Sequence, residues 1–321
     1  MSESRIVVTA CDPNFLWGSY LLVASLRYHN VAVPVRVISH GLDTGQKRLL
    51  EQFNHVRVVE HASDNPRNIA CQKAEAVLAA DAEQIAWIDS DCVVTGDITR
   101  HLETPEGSIQ IRMRPAKEVA YLFRDRYQGN EQRGQIPQQV LDIWRRDVGE
   151  QESPRIRTSC NAFCFVVHRT HKDFIRSWEH QIQNVVPPRD QGIVNDRSFA
   201  YFLLDEAVLS SMLAFAKTAP SVADFRLGSD PEAQVVHFGG SPKPWEQWLE
   251  RNLNYFDLLV SIVDWCVDRG LQTPPRPWNL FRENRSRCER KARSYEVRRS
   301  INGKIHAVRR AIRRLLIKQQ T

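Results

Sequence analysis

The sequence lacks the signatures of several protein classes. Only 7 of its 321 residues are cysteines and none stands in a Cys-x-x-Cys pair, so neither a disulfide framework nor a cysteine zinc site is indicated. Gly (14) and Pro (16) are few and no segment repeats, which excludes collagen-like and low-complexity chains. No apolar run approaches the roughly 18 residues of a membrane helix, and the polar amino terminus does not resemble a secretory signal. We therefore expect a cytoplasmic globular protein with reduced thiols.

The net positive charge of the chain comes from its carboxyl-terminal segment. Lys and Arg outnumber Asp and Glu by 44 to 38 overall, but residues 276–321 hold 15 basic and only 3 acidic residues. A tail of net charge +12 therefore follows a body of net charge −6. This asymmetry indicates an anionic partner for the tail alone.

Short apolar runs alternate with helical stretches over the first 100 residues. The strand-like runs begin at Ile6, Val33, Val56 and Ile85. Such alternation predicts an α/β fold with a mainly parallel sheet, whose ligands bind at the carboxyl ends of the strands. We place one globular domain at residues 1–270, followed by a Pro-rich linker and a basic tail at residues 271–321.

Two carboxylates follow the fourth apolar run. Asp89 and Asp91 flank Ser90 directly after Trp87-Ile88, at the sheet edge where ligands bind. A divalent cation relieves the repulsion between two such carboxylates, and oxygen ligands suit Mg²⁺ or Mn²⁺, which also bind nucleotide phosphates. The pair could instead cap the following turn. This motif alone leaves both interpretations open.

A second motif lies 146 residues further on, in the segment His237-Phe238-Gly239-Gly240-Ser241-Pro242-Lys243-Pro244-Trp245. A strand brings His237 to the sheet edge, the glycines allow a ligand to approach the backbone, and Lys243 offers a positive charge to a phosphate. Alone, the segment could equally be a structural turn with a surface lysine.

Together the two motifs resemble those of the family 8 glycosyltransferases, which include glycogenin and bacterial lipooligosaccharide galactosyltransferases. The fixed positions of the family signature His-x-x-Gly-x-x-Lys-Pro-Trp are filled here by His237, Gly240, Lys243, Pro244 and Trp245. Asp89 and Asp91 match the Asp-x-Asp strand of the family, and the likeness extends over about residues 5–250. It implies a GT-A fold, in which helices flank a mostly parallel, Rossmann-like nucleotide-binding sheet. It also implies transfer of a sugar from a nucleotide-sugar, usually UDP-linked, with retention of anomeric configuration.

The resemblance further implies roles for individual residues. Asp89, Asp91 and His237 would hold Mn²⁺ (or Mg²⁺) against the diphosphate. This agrees with the chemistry, because a metal and a lysine stabilise the negative charge that develops on departing UDP. The donor-binding residues implied in this way are Thr9, Cys11, Asp12, Lys73, Asp89, Ser90, Asn161, Ala162, Gly240 and Lys243. A solvated helix face is the alternative for Lys73, and Phe163 stands where the family usually has Gly.

Relatives carry an Asp-Gln pair that opens a helix beside the donor sugar, and two segments match it here. Asp190-Gln191 matches letter for letter, whereas Asp205-Glu206 opens the better amphipathic helix. Either pair could also be a plain helix cap. Glu206 beneath the anomeric carbon could act as a nucleophile, whereas Gln191 in that place would favour attack from the same face. The sequence leaves both the pair and the mechanism open.

Two arginines follow the first motif on a predicted strand. Arg112 and Arg114 alternate with Ile111 and Met113, so they share one face of that strand. We expect this face to be a solvated edge. The alternative is contact with an anionic acceptor.

Apolar residues recur at helical spacing in the tail. They are Ile301, Ile305, Val308, Ile312, Leu315 and Leu316. Lys and Arg surround this stripe, and a basic amphipathic helix of this kind is typical of binding in the plane of an anionic membrane surface. Nucleic acid would satisfy the charge but not the apolar stripe, so it is disfavoured. A groove on a partner protein is the remaining alternative.

These observations predict a metal-dependent retaining glycosyltransferase, peripheral on the inner face of the membrane. It would transfer a hexose from a UDP-sugar to a glycan or glycolipid acceptor, such as a lipid-linked envelope polysaccharide or lipopolysaccharide. The alternatives are a non-catalytic membrane-docked nucleotide-sugar-binding module and a basic-tailed nucleic-acid-binding protein. The intact set of Asp89, Asp91, His237 and Lys243 favours the enzyme.

Overall fold

The computed structural model describes residues 3–61, 69–187, 196–230 and 232–318. The chain divides into two compact units, Met1–His237 and Phe238–Thr321. The division falls after His237, whereas we expected one globular domain up to residue 270. Side chains of residues 248–268 explain the difference, because they pack with the segment that follows them: Trp248 Nε1 donates to the carbonyl of Asn279 at 2.8 Å.

The described part of the first unit is built on β-strands. They are β1 (Glu3–Cys11), β2 (Val35–Ser39), β3 (Val56–Glu60), β4 (Ala82–Ile88), β5 (Cys92–Val94), β6 (Ser108–Met113), β7 (Cys160–His168), β8 (Ser221–Ala223) and β9 (Val235–His237). Seven of them form one sheet in the order β3-β2-β1-β4-β7-β6-β8, and β5 pairs with β9 separately. Strands β3, β2, β1 and β4 run parallel, as do β6 and β8, while β7 is antiparallel to both of its neighbours. The predicted mainly parallel α/β sheet is confirmed.

Helices flank this sheet. They are α1 (Leu16–Tyr28), α2 (Thr44–Glu51), α3 (Lys73–Leu78), α4 (Ala116–Leu122), α5 (Gln138–Val148), α6 (Lys172–Val185), α7 (Asp196–Ala200) and α8 (Asp205–Phe215). Local chemistry sets their ends: Asp43 and Gln46 form a capping box at the start of α2, and Gly149 ends α5 with a φ of 72°. The core between sheet and helices is apolar, with Phe165, Trp144 and Trp178 among its fully buried side chains.

The carboxyl edge of the sheet positions the candidate site. After β4 the chain turns through residues 89–91 into β5, which pairs antiparallel with β9 and sets Cys92 opposite His237. Gly96 permits the close return of the chain before β9, because a Cβ there would lie 2.0 Å from the carbonyl oxygen of Glu232. The two-stranded ribbon thereby joins motifs that are far apart in sequence.

The second unit contains α9 (Phe256–Asp268) and α10 (Arg285–Lys318). The first turns of α10 are fixed to this unit by buried Cys288 and Ala292 and by the ion pair of Arg285 with Asp257. The helix then continues without a break to Lys318, over 34 residues. None of the described helices combines the length and apolar composition that crossing a membrane requires.

Candidate functional site

Three metal-ligating side chains meet at the turn after β4 and the end of β9. Asp89, Asp91 and His237 each offer one ligand atom, and these atoms all lie within 4.8 Å of one another. Nε2 of His237 is 3.2 Å from Oδ1 of Asp91. Two carboxylates and one imidazole fit a divalent cation, and this mixed set suits Mn²⁺ better than Mg²⁺, which prefers oxygen alone. The predicted trio is assembled in the structure, and the identity of the metal stays a prediction.

Aromatic side chains hold two of these ligands in place. Trp87 Nε1 donates a hydrogen bond to Asp89 Oδ1 at 2.7 Å, and the Asp89 backbone N–H donates to the Phe163 carbonyl at 2.7 Å. The Phe163 ring stacks on the imidazole of His237, with centroids 4.8 Å apart and planes 8° from parallel. Phe163 therefore fixes the plane of a candidate metal ligand.

Lys73 connects the metal-ligand turn with helix α8. Its ammonium lies 3.0 Å from Asp89 Oδ1 and 3.3 Å from Asp205 Oδ2, and it donates to the carbonyl of Ala162 at 3.1 Å. Only 6% of Lys73 is exposed, so the alternative of a solvated helix face is wrong. Burial alone would lower the pKa of Lys73, but the charges of Asp205 and Asp89 outweigh it and raise that pKa above its ordinary value. Lys73 is therefore a buried cation that neutralises two carboxylates.

The Asp205-Glu206 pair lies in this network. Burial raises the pKa of Asp205 to about 6, against the lowering effect of Lys73 and with a further rise from Glu206. Glu206 accepts a hydrogen bond from the Ala162 backbone N–H at 3.1 Å and lies 2.6 Å from Arg114 Nη1. Asp190 and Gln191, the other candidate pair, lie outside the described residues.

Arg112 lies on β6 and Arg114 directly after it, and their side chains have different environments. The Arg114 side chain is only 9% exposed, so its predicted place on a solvated edge is wrong. It is buried because β6 pairs with β7 and the chain then brings it under the start of α8. Arg112 is 30% exposed and pairs with Glu118 at 2.9 Å, as a surface strand residue would.

A strained residue precedes the acidic pair. Leu204 adopts φ 52° and ψ −126°, a conformation that side chains with a Cβ rarely adopt. Strained backbone persists where the surrounding structure fixes it, and it often lies at functional sites. Leu204 directly precedes the first turn of α8, in which Asp205 contacts Lys73 and Glu206 contacts Arg114.

A cavity of about 280 Å³ adjoins the metal-ligand turn. It is lined by Ala10, Phe15, Ile69, Ala70, Lys73, Trp87, Asp89, Ser90 and Asp91. Apolar and aromatic side chains therefore line the same cavity as four predicted site residues, Lys73, Asp89, Ser90 and Asp91. This combination is typical of small-molecule sites.

The residues predicted on β1 do not bring their side chains to this cavity. Thr9 and Cys11 are fully buried, and Ala10 between them lines the cavity, so their side chains lie on the opposite face of the strand. Within the described residues the Thr9 hydroxyl has no hydrogen-bond partner. Burial raises the pKa of Cys11 to about 12, so it is a neutral thiol. Asp12 caps the turn Pro13–Phe15, accepting from the Asn14 and Phe15 N–H groups at 2.9 and 3.0 Å.

The remaining predicted donor residues have local partners. Asn161 Oδ1 accepts from the Phe163 N–H at 3.3 Å. Ala162 contributes its backbone, with the N–H on Glu206 and the carbonyl on Lys73. In the second unit, Gly240 has a φ of 80° and Lys243 Nζ donates to the Phe238 carbonyl at 3.0 Å. The donor-binding roles of these residues stay predictions.

Sequence reasoning missed two supports of the site, Trp87 and Arg114. Trp87 was visible only as the last large residue of an apolar strand, although its position before Asp89 places the indole N–H within reach of the motif. The partner of Arg114 lies 92 residues later in the chain. No local pattern could indicate that pairing.

Comparison with known proteins finds a similar fold among solved structures. No protein family model and no curated protein sequence matches the chain. Among solved structures, the bifunctional glycosyltransferase WbbM superposes with a TM-score of 0.53 at 12% identity, over 87% of this chain and 51% of that one. The galactosyltransferase LgtC, in complex with donor and acceptor sugar analogs, gives 0.49 at 14% identity, over 85% and 98%. The glycosyltransferase GlyE of Streptococcus pneumoniae TIGR4 gives 0.49 at 14%, over 85% and 65%.

The chain thus spans about half the length of WbbM and 65% of GlyE. At such identities the likeness shows the fold alone. That fold is the GT-A fold of glycosyltransferases, with the mostly parallel central sheet and flanking helices that the sequence predicts.

Proposed function

We propose that this protein is a metal-dependent glycosyltransferase that transfers a hexose from a UDP-sugar with retention of configuration. One observation carries the proposal: Asp89, Asp91 and His237 meet within 4.8 Å at the carboxyl edge of a GT-A sheet. A cavity of about 280 Å³ with Lys73 in its wall adjoins them. Carboxylates, an imidazole and a cation beside a cavity fit a sugar diphosphate better than a neutral ligand.

The donor half of the reaction follows from the chemistry of these side chains. A divalent ion held by Asp89, Asp91 and His237 would neutralise the charge that builds on the diphosphate as the sugar departs. Trp87 and Phe163 restrict the motion of Asp89 and His237, so little reorganisation is needed during the reaction. Gly240 and Lys243 keep their predicted role in phosphate binding.

The sugar half of the reaction is assigned to Asp205 and Glu206. Their contacts with Lys73 and Arg114 tie them to the same network as Asp89. A carboxylate near the anomeric carbon stabilises the positive charge of an oxocarbenium-like transition state, whether or not it forms a covalent bond. This arrangement supports Asp205-Glu206 as the catalytic pair.

We further propose that α10 brings the enzyme to an anionic membrane surface that carries a lipid-linked glycan acceptor. In a regular helix, positions 297 and 301 lie opposite positions 288 and 292, whose side chains are buried. Val297 and Ile301 are accordingly 59% and 51% exposed, and positions 305, 308, 312 and 315 continue their stripe. Basic residues around an apolar stripe whose first two members are exposed support binding in the plane of a lipid surface, here the cytoplasmic leaflet.

The activity is tested by UDP release from a panel of UDP-hexoses, with Mn²⁺ or with EDTA. We compare wild type, Asp91→Asn and Asp81→Asn, which removes an exposed carboxylate just before the same strand. We expect Mn²⁺-dependent release by wild type and Asp81→Asn and a loss of at least about 100-fold in Asp91→Asn. Release that is absent from wild type with every donor, or unaffected by Asp91→Asn, would refute the proposal.

A further inference from the structure

The carboxylate of Glu206 has both of its oxygens engaged. Arg114 Nη1 lies 2.6 Å from Oε1, and the Ala162 backbone N–H donates to Oε2 at 3.1 Å. The side chains of Arg114 and Glu206 are only 9% and 14% exposed, so water screens their attraction weakly. Glu206 is therefore held in one place by two charge-assisted contacts.

Arg114 is itself fixed to the strand that carries Ala162. Its Nη1 donates to the Cys160 carbonyl, and its backbone N–H donates to the Ser159 carbonyl at 2.9 Å. The Thr158 hydroxyl donates to the Arg114 carbonyl at 2.7 Å. The guanidinium thus has little freedom to follow Glu206, and Glu206 must adopt the position that Arg114 sets.

The backbone of Glu206 is also held in place. Ser210, one turn further along α8, donates to the Glu206 carbonyl at 2.8 Å and accepts from the Cys160 N–H at 3.1 Å. Helix α8 and strand β7 are therefore joined on both sides of Glu206. Since Ala162 also binds Lys73, a displaced Glu206 would disturb the segment between the acidic pair and the metal-ligand turn.

We propose that Arg114 is a positioning residue, which acts on the reaction only by holding the Glu206 carboxylate in place beside Ala162. The inference rests on the proposed glycosyl transfer and adds a residue that the predicted site does not contain. A residue that acts through another has no effect of its own once that other is removed. The two substitutions should therefore not be additive.

The test is a double-mutant cycle on kcat and KM for donor turnover, with Arg114→Met, Glu206→Gln and the double variant. Glutamine keeps an oxygen for the Ala162 N–H but loses the ion pair. We expect each single variant to lower kcat by about 100-fold with little change in KM. The double variant should be no slower than the slower single one. Arg114→Lys, which keeps the charge, should recover part of the rate.

Arg112→Met is the matched control, because it removes an arginine two residues away that pairs with exposed Glu118. Its kcat should stay within about twofold of wild type. The inference would be overturned if the kcat losses of the two single variants multiply in the double variant, or if Arg114→Lys recovers none of the rate. In either case an active wild type would leave the proposed function standing. If Arg114→Met does not fold, the cycle is run with Arg114→Lys. A wild type without turnover on any donor would instead overturn the proposed function, and this inference with it.

Discussion

Lys73 stabilises the site by neutralising two carboxylates at once, those of buried Asp205 and partly buried Asp89. Replacing it with Met leaves Asp89 and Asp205 without the ammonium that lies 3.0 and 3.3 Å from them. Removing one partner of a buried ion pair costs about 3 to 5 kcal/mol, because the remaining charge is uncompensated. We expect a loss of this size in the free energy of unfolding by urea.

Two further variants make the Lys73 measurement specific. Adding Asp205→Asn to Lys73→Met should recover part of the lost stability, because one buried charge is removed with the cation. Lys172→Met is the control, since Lys172 is partly buried but donates to the Ala80 carbonyl, at 2.9 Å. Equal losses at the two lysines would contradict the role given to Lys73.

Asp205 makes stability depend on pH. Burial raises its pKa from 3.8 to about 6, so between these values the folded protein binds more protons than the unfolded chain. The resulting stabilisation is complete below about pH 4 and is lost as the pH rises through about 6. Relative to Asp205→Asn, wild type should lose roughly 2 to 3 kcal/mol between pH 4 and 7, measured by urea unfolding in EDTA. Parallel pH profiles of the two proteins would contradict this.

Single residues were predictable where the motif is local. The metal trio could be found because Asp-x-Asp ends a strand and His237 begins a recognisable signature. The burial of Lys73 and Arg114 could not be found. Both side chains contact carboxylates in the first turn of α8. This helix begins at Asp205, more than 90 residues after either of them in the chain.

At the scale of elements, the start of α8 stores backbone strain. Leu204 has φ 52° and ψ −126°, which glycine adopts without a steric penalty. Leu204→Gly should therefore be more stable than Leu204→Ala by about 1 kcal/mol, the reverse of the usual order. Chemical unfolding of the two variants measures this. At neighbouring Leu203, which lacks a positive φ, Ala should be at least as stable as Gly; the same order at both positions would show that Leu204 is unstrained.

Local sequence patterns predicted individual helices and strands better than they predicted which strands pair with each other. The start of α8 at Asp205 is confirmed, because its apolar spacing and acidic first turn agree. The antiparallel insertion of β7 between β4 and β6 was not predictable, since strand order depends on pairing between distant segments. Helix α10 begins at Arg285, well before the stripe from Ile301, because Cys288 and Ala292 pack in the second unit.

Over the whole chain, the net charge changes sign between residues 1–275 and the tail. The tail of residues 276–321 carries a net +12, and the exposed Val297 and Ile301 begin its apolar stripe. We expect binding to vesicles with anionic lipid that weakens with added salt, and no comparable binding to neutral vesicles. Removing residues 302–321 should abolish it, as measured by cosedimentation. Unchanged binding after the truncation would contradict the role of the tail.

The central claim is a metal-dependent UDP site, and calorimetry of UDP binding tests it most directly. Wild type and Asp91→Ala are titrated with UDP, GDP and CMP, each with and without Mn²⁺. We expect wild type to bind UDP tightly in the presence of Mn²⁺, and to bind neither GDP nor CMP comparably. UDP should not bind tightly without Mn²⁺ or to Asp91→Ala, because Asp91 supplies one of three ligands within 4.8 Å. Binding of UDP that persists without Mn²⁺ or in Asp91→Ala, or no nucleotide binding by wild type, would contradict the account.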